Sequence, residues 1–307
     1  MKKTCTLLLG LAVLASCSKE ETGNNDNEVL VPIELGAGVN VISRAAISTG
    51  SEVKAGIAGW VAASAPTYNE APSWGGNNDS EIITTTANET AQSVSWTTQR
   101  YYAPDGKTTY MKAWSPAGTF STGNTVSFTN TDGSVDVLLA PVVSGSKTAK
   151  VSTPLAFEHM TSQIKFSVKK GEGLAEGTTI ESITIKDAQL PTGFDLTKAI
   201  DAEGAVTYAE AADLTVPNID GSKEITNTTA GDPVGDAVMI KPIASKTFTV
   251  DITTNNASYA NKTVTVTTDQ VLAGYAYEIT LTFGQAGVEL TATVADWKTA
   301  SGSAEIQ

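Results

Sequence analysis

From Val29 onward the chain alternates apolar and polar residues with a period of two, and this is what most constrains its fold. Ile164, Phe166 and Val168 alternate with Lys165, Ser167 and Lys169. Phe248, Val250 and Ile252 alternate with Thr247, Thr249 and Asp251. Val264 and Val266 sit among Thr263, Thr265 and Thr267, and Tyr277, Ile279, Leu281 and Phe283 alternate with Glu278, Thr280 and Thr282. Leu290, Ala292 and Val294 close the series. Such a pattern gives a strand one buried and one wet face, as in antiparallel sheets packed on one side. Asn130-Thr131-Asp132-Gly133, Pro191-Thr192-Gly193 and Ala286-Gly287 read as turns between strands. No amphipathic segment of helical period runs beyond a turn or two. Short strands with frequent turns predict an all-β fold of β-sandwiches.

The first residues carry an address. Lys2 and Lys3 precede an apolar run from Leu7 to Leu14, too short to span a bilayer. The run ends in Leu14-Ala15-Ser16-Cys17, which resembles the bacterial lipobox. There the cysteine is acylated and becomes the first mature residue, so residues 1–17 are expected to be a lipoprotein signal ending in lipidated Cys17. Residues 18–28 are polar and cannot bury a core, which predicts a flexible tether. Ser18-Lys19-Glu20-Glu21 resembles the signal that sends lipoproteins of Bacteroidetes-type bacteria to the cell surface.

Cys5 and Cys17 are the only cysteines. With Cys5 in the leader and Cys17 acylated, no disulfide can form, and stability must come from hydrophobic cores. Ser144-Gly145-Ser146-Lys147-Thr148 is small and polar and reads as a linker. It divides the chain into expected sandwiches over 29–150 and 151–307, both of ordinary domain size. The net charge of −13 becomes −15 once Lys2 and Lys3 leave. Without a basic cluster, nucleic acid is excluded as a partner.

Little in the chain suggests chemistry. His159 is the only histidine, no mature cysteine is free and no nucleophile elbow is present. His159 is expected at a strand entry or core edge. A zinc site would need more histidines or cysteines, and no spacing singles out a carboxylate pair for glycoside hydrolysis. Asn130 to Asp136 lacks the later bidentate glutamate of a calcium loop and reads as a hairpin turn. No catalytic residue, metal or cofactor is therefore expected. Trp60 and Trp114 sit in strand patterns and should pack in cores. Trp74 lies in Pro72-Ser73-Trp74-Gly75-Gly76, where exposure is expected and contact with a glycan is conceivable. A surface glycan-binding lipoprotein that never polymerises is the alternative this residue raises.

Several stretches resemble the fimbrillin family, the FimA/Mfa-like pilins of Bacteroidales. Leu155-Ala156-Phe157-Glu158-His159-Met160 leading into Ile164-Lys165-Phe166 is similar to the family's Phe-x-His strand entry. Val135 to Ala140 is similar to its strand before the interdomain connection. Leu272-Ala273-Gly274-Tyr275-Ala276-Tyr277 and Val294-Ala295-Asp296-Trp297 resemble its closing elements. The resemblance implies two transthyretin-like antiparallel β-sandwich domains in tandem. It also implies an outer-membrane lipoprotein precursor and a structural role as stalk, tip or anchor of a pilus, with other pilin subunits as partners. It further implies maturation by an arginine-specific protease. Arg44, before Ala45, is the candidate scissile residue, and Arg100 is the only other arginine. If Val29 to Leu35 and Val39 to Ile42 pair within the first sandwich, removal of residues 18–44 opens an edge that another subunit can fill by strand addition. The resemblance implies that stalk subunits supply the donor from their C-terminus, whereas Lys298 to Gln307 here is polar and small, with only Ile306 strongly apolar.

Overall fold

A computed structural model describes residues 30–39, 50–76, 79–229 and 231–296. The described residues form strands, turns and irregular segments, with no helix. The chain first lays down β1 (Gly36–Val39), β2 (Glu52–Ala62), β3 (Glu81–Thr86), β4 (Gln92–Ser93), β5 (Ser95–Trp96) and β6 (Thr108–Ser115). A short pair follows, β7 (Thr119–Ser121) and β8 (Thr125–Ser127), then β9 (Leu138–Gly145) and β10 (Leu155–His159). The remainder gives β11 (Ser162–Lys170), β12 (Ile180–Ala188), β13 (Pro191–Asp195), β14 (Val206–Tyr208) and β15 (Ala212–Thr215). It ends with β16 (Asp232–Ile240), β17 (Thr247–Thr254), β18 (Ser258–Thr265), β19 (Tyr275–Gly284) and β20 (Gly287–Asp296).

The first eight-stranded sheet runs β4-β1-β10-β9-β6-β2-β3-β5. Its two end strands, β4 and β5, are separated in sequence by Val94 alone. A sheet whose ends are joined by one residue must roll up, and it does so around Ile33, Ile57, Ile83, Met111, Leu138 and Phe157. The outer face of this sheet is also covered. Ala58, Trp60, Trp114 and Leu139 pack there under a small sheet ordered β14-β13-β8-β7. Burial on both faces explains why β2 and β6 break strict alternation.

The second body is a sandwich of two four-stranded sheets, β16-β11-β19-β20 and β15-β12-β17-β18. Ile164, Phe166, Ile279, Leu281 and Phe283 from one meet Ile183, Ile185, Phe248, Val250 and Val264 from the other. These are the residues whose alternation predicts strands.

Three expectations need correction. Ser144 and Gly145 finish β9, the loop after them leads to β10, and β10 pairs back onto β9. The small polar stretch is thus a hairpin loop inside the first sheet, and loop and linker share the same composition. Pairing does not divide at residue 150 either, because Gly193 and Phe194 of β13 pair with Ser127 and Val126 of β8. Pro191-Thr192-Gly193 is the start of β13 rather than a turn. A Cβ on Gly193 would stand 2.2 Å from the Val126 carbonyl oxygen, so glycine is needed there for close approach in a bulged strand. Within these largely antiparallel sheets two pairings are parallel, β1–β10 and β11–β19, each joining strands far apart in sequence.

Candidate assembly groove

Residues 31–39 run along a slot in the rolled sheet. Ile33, Leu35, Ala37 and Val39 point inward and are 0%, 6%, 0% and 0% exposed. Glu34 faces solvent. Each of the three large side chains stabilises the fold by about 1.5–3 kcal/mol through burial. Set against a typical domain stability of roughly 5–15 kcal/mol, this short segment supplies a decisive share.

Both backbone edges of the segment are engaged. On one side Ala37, Gly38 and Val39 pair in parallel with Leu155, Ala156 and Phe157. On the other side it follows residues 88–102. Val39 N–H donates to the Asn88 carbonyl at 3.0 Å, and Gly36 and Ala37 pair with Ser93 and Gln92. Val94 N–H donates to the Leu35 carbonyl at 3.1 Å, and Ile33 N–H to the Arg100 carbonyl at 2.8 Å. Tyr102 N–H closes the series on the Val31 carbonyl at 3.0 Å. Taking the segment away would bare two strand edges and the apolar floor between them.

Arg100 sits on this wall. Its guanidinium lies 2.8 Å from Asp79 and 2.7 Å from Glu81, whose side chain is 1% exposed. The hydrogen bond from Arg100 holds the Asp79 carboxyl below the ordinary carboxylate range. The guanidinium carbon also lies 5.5 Å from the centre of the Trp74 ring.

Of the residues singled out from sequence, Cys17, Arg44, Ala45 and Trp297 lie outside the described residues. Val39 is the last described residue before Arg44. Trp60 and Trp114 are buried, each donating its indole N–H to a backbone carbonyl, Glu70 and Ala117 respectively, at 2.9 Å. Trp74 departs from the expected exposure. It is half buried, with its centroid 6.0 Å from that of Trp96, and a Cβ on Gly59 would stand 2.2 Å from its indole. Gly59 leaves the flat space on β2 that the ring occupies.

His159 ends β10 and is 2% exposed. Its Nδ1 lies 3.0 Å from Asp136 Oδ1. The ring borders a cleft of about 1040 Å³ that Lys112, Met160, Ile200, Tyr208 and Lys241 also line. No serine or cysteine is among the described residues lining it. Asn130 Oδ1 accepts the Gly133 N–H at 3.1 Å, and Asp132 accepts both Ser134 donors, a side-chain-capped turn. Sequence reasoning missed the wall of the groove. Residues 88–102 are mostly irregular and carry no sustained alternation, so no pattern marks them.

The chain has known relatives in fold and family. The structure of a candidate cell adhesion protein from Bacteroides uniformis shares 19% identity, covers 88% of this chain and 99% of its own, and superposes with a TM-score of 0.59. One from Bacteroides ovatus shares 15% identity over 89% of this chain and 99% of its own, with a TM-score of 0.56. At such identities the likeness speaks to the fold. No curated protein matches the chain. Residues 44–297 match the family described as fimbrillin-like. The chain belongs to the fimbrillin-like family.

Proposed function

We propose that the chain is a non-enzymatic structural subunit of a cell-surface pilus, matured by proteolysis and assembled by strand exchange. In this reading it is exported as a lipoprotein acylated on Cys17 and held in the outer membrane, facing outward. An arginine-specific protease cuts between Arg44 and Ala45, which removes the lipid anchor together with residues 30–39.

The observation that supports this most is the burial of Ile33, Leu35, Ala37 and Val39 within the sheet, just ahead of Arg44. A subunit that loses them keeps an apolar slot with unpaired backbone on both sides. Such an edge is unstable alone and is a template for another chain. An extended segment with alternating apolar side chains fills it, backbone bonds giving affinity and side chains giving register. Because donor and slot lie on different subunits, the contact repeats head to tail into an open filament.

β20 is an edge strand, paired to β19 from Gly287 to Asp296, with Val288, Leu290, Ala292 and Val294 packed on the second core. It therefore already has a place in its own sandwich.

Treating the purified full chain with an arginine-specific protease tests the reading. The expected product begins at Ala45 by N-terminal sequencing and forms filaments visible by electron microscopy. A chain that is cut at Arg44 yet stays monomeric at every concentration contradicts assembly by this route.

A further inference from the structure

We propose that the Arg100–Tyr101 peptide bond is a second, latent cleavage site for an arginine-specific protease. It is masked while residues 31–39 fill the groove and unmasked when they leave. This rests on the maturation reading above and adds a regulatory step to it.

The mask has a backbone part and a side-chain part. The Arg100 carbonyl, the group a protease must attack, accepts the Ile33 N–H at 2.8 Å. Tyr101 forms an antiparallel bridge with Pro32, and the Tyr102 N–H is held by the Val31 carbonyl. Gln99 Nε2 donates to the Ile33 carbonyl at 3.1 Å. Proteins that bind an extended peptide do so through its backbone groups, and here those groups are already taken by residues 31–33. The Arg100 side chain, which would have to enter a specificity pocket, is bound by Asp79 and Glu81 and is 16% exposed.

Departure of residues 31–39 removes every backbone contact in that set. What then holds residues 97–101 is the Thr97 N–H and hydroxyl on the Ile82 carbonyl at 3.1 and 2.9 Å, the Thr98 N–H on Glu81 Oε1 at 2.8 Å, and the Arg100 ion pairs beside the Trp74 ring; none of these touches the backbone of Arg100 or Tyr101. Thr97, Thr98, Gln99 and Tyr101 already face solvent. Cleavage is plain hydrolysis: water adds to the Arg100 carbonyl carbon and the C–N bond breaks. Arg100 keeps the new carboxylate and Tyr101 leaves as a free amine, the protease supplying the proton transfers. The cut severs one wall of the groove. A subunit that has lost its segment and found no donor is destroyed by the enzyme that activated it. A donor strand lying where residues 31–39 lay restores the mask.

The test uses the full chain with residues 43–46, Arg44 included, replaced by the recognition sequence of an unrelated protease. That protease makes the first cut, and residues up to the cut are released in sub-denaturing urea, with release followed by mass spectrometry. Arginine-specific protease is then added to intact chain, to released chain, and to released chain with excess synthetic peptide of residues 29–43. The expected result is resistance of the Arg100–Tyr101 bond in the intact chain, cleavage at least about tenfold faster after release, and resistance restored by the peptide. Equal rates before and after release overturn the proposal, as does acceleration that the peptide does not reverse. A segment that stays bound until the whole chain unfolds overturns it too, because the mask then never lifts. Since Arg44 takes no part, failure of native processing at Arg44 sinks the maturation reading and leaves this test standing.

Discussion

His159 Nδ1 and Asp136 Oδ1 stand 3.0 Å apart, with side chains 1% and 3% exposed. Asp136 lies just before β9 and His159 at the end of β10, so the pair ties together the two strands that carry the chain out of the first sheet. Asp136→Ala removes a buried hydrogen-bond partner of the ring and is expected to lower stability by about 1–3 kcal/mol. Asp136→Asn, which keeps an oxygen in place, should lose less. The urea midpoints of the two variants, compared at unchanged slope, check the order.

Segment packing separates two neighbouring residues sharply. Ile33 is wholly buried, whereas the Glu34 side chain is 77% exposed and lies 3.9 Å from Lys150 in a surface ion pair. Ile33→Ala removes a large core side chain and should cost about 2–5 kcal/mol. Glu34→Ala breaks an exposed pair and should change stability by under about 1 kcal/mol. Thermal unfolding of both variants measures the contrast. Equal effects would mean that residues 31–39 contribute little to the first core.

Alternation made the second sandwich legible, because β11, β17, β19 and β20 each meet one core on one face. The first sheet was harder to read. β2 is buried on both sides, so its apolar run carries no period, and Gly56 and Gly59 stand where the Trp114 and Trp74 indoles lie flat. Composition failed where one chemistry serves two structures. Ser144 to Thr148 has the residues of a linker and of a hairpin loop, and Gly193 marks a bulge as readily as a turn. Strands expected at Val29–Leu35 and Val39–Ile42 bracket the described one, which is Gly36–Val39, while residues 40–42 lie outside the described residues. The wall at residues 88–102 could not be anticipated, since those partners are set by tertiary hydrogen bonds.

Lys112 provides a pH test. Its ammonium is buried, donates to the carbonyls of Leu196 and Lys198 at 2.6 and 2.8 Å, and lies 3.9 Å from the centre of the Tyr68 ring. Burial lowers its pKa from 10.5 to about 8. Between these values the unfolded chain holds a proton that the folded chain has released, so stability must rise with pH from about 8 upward. Buried Tyr102 and half-buried Tyr68 and Tyr208 work the other way, because desolvation raises their pKa values above 10.0. Their contribution is full below pH 10.0 and is lost as pH climbs past it. The melting temperature should therefore rise between about pH 8 and 10 and then fall. Lys112→Met should remove the rise, and a flat profile in the native chain would contradict the assignment.

Trp74 separates packing from recognition. Its ring fills the space over Gly59, contacts Trp96, and lies beside the Arg100 guanidinium, while the Gly59 N–H donates to the Trp74 carbonyl at 3.1 Å. Replacing a packed aromatic of this size by alanine costs about 3–5 kcal/mol when fully buried, and somewhat less for a ring that keeps one side in water. Trp74→Ala is thus expected to lower the melting temperature by several degrees and to loosen the Arg100 side chain. Gly59→Ala should do the same by pushing the ring off its seat. If instead Trp74→Ala left stability untouched and abolished signal on a glycan array, the ring would be a binding platform rather than a clamp.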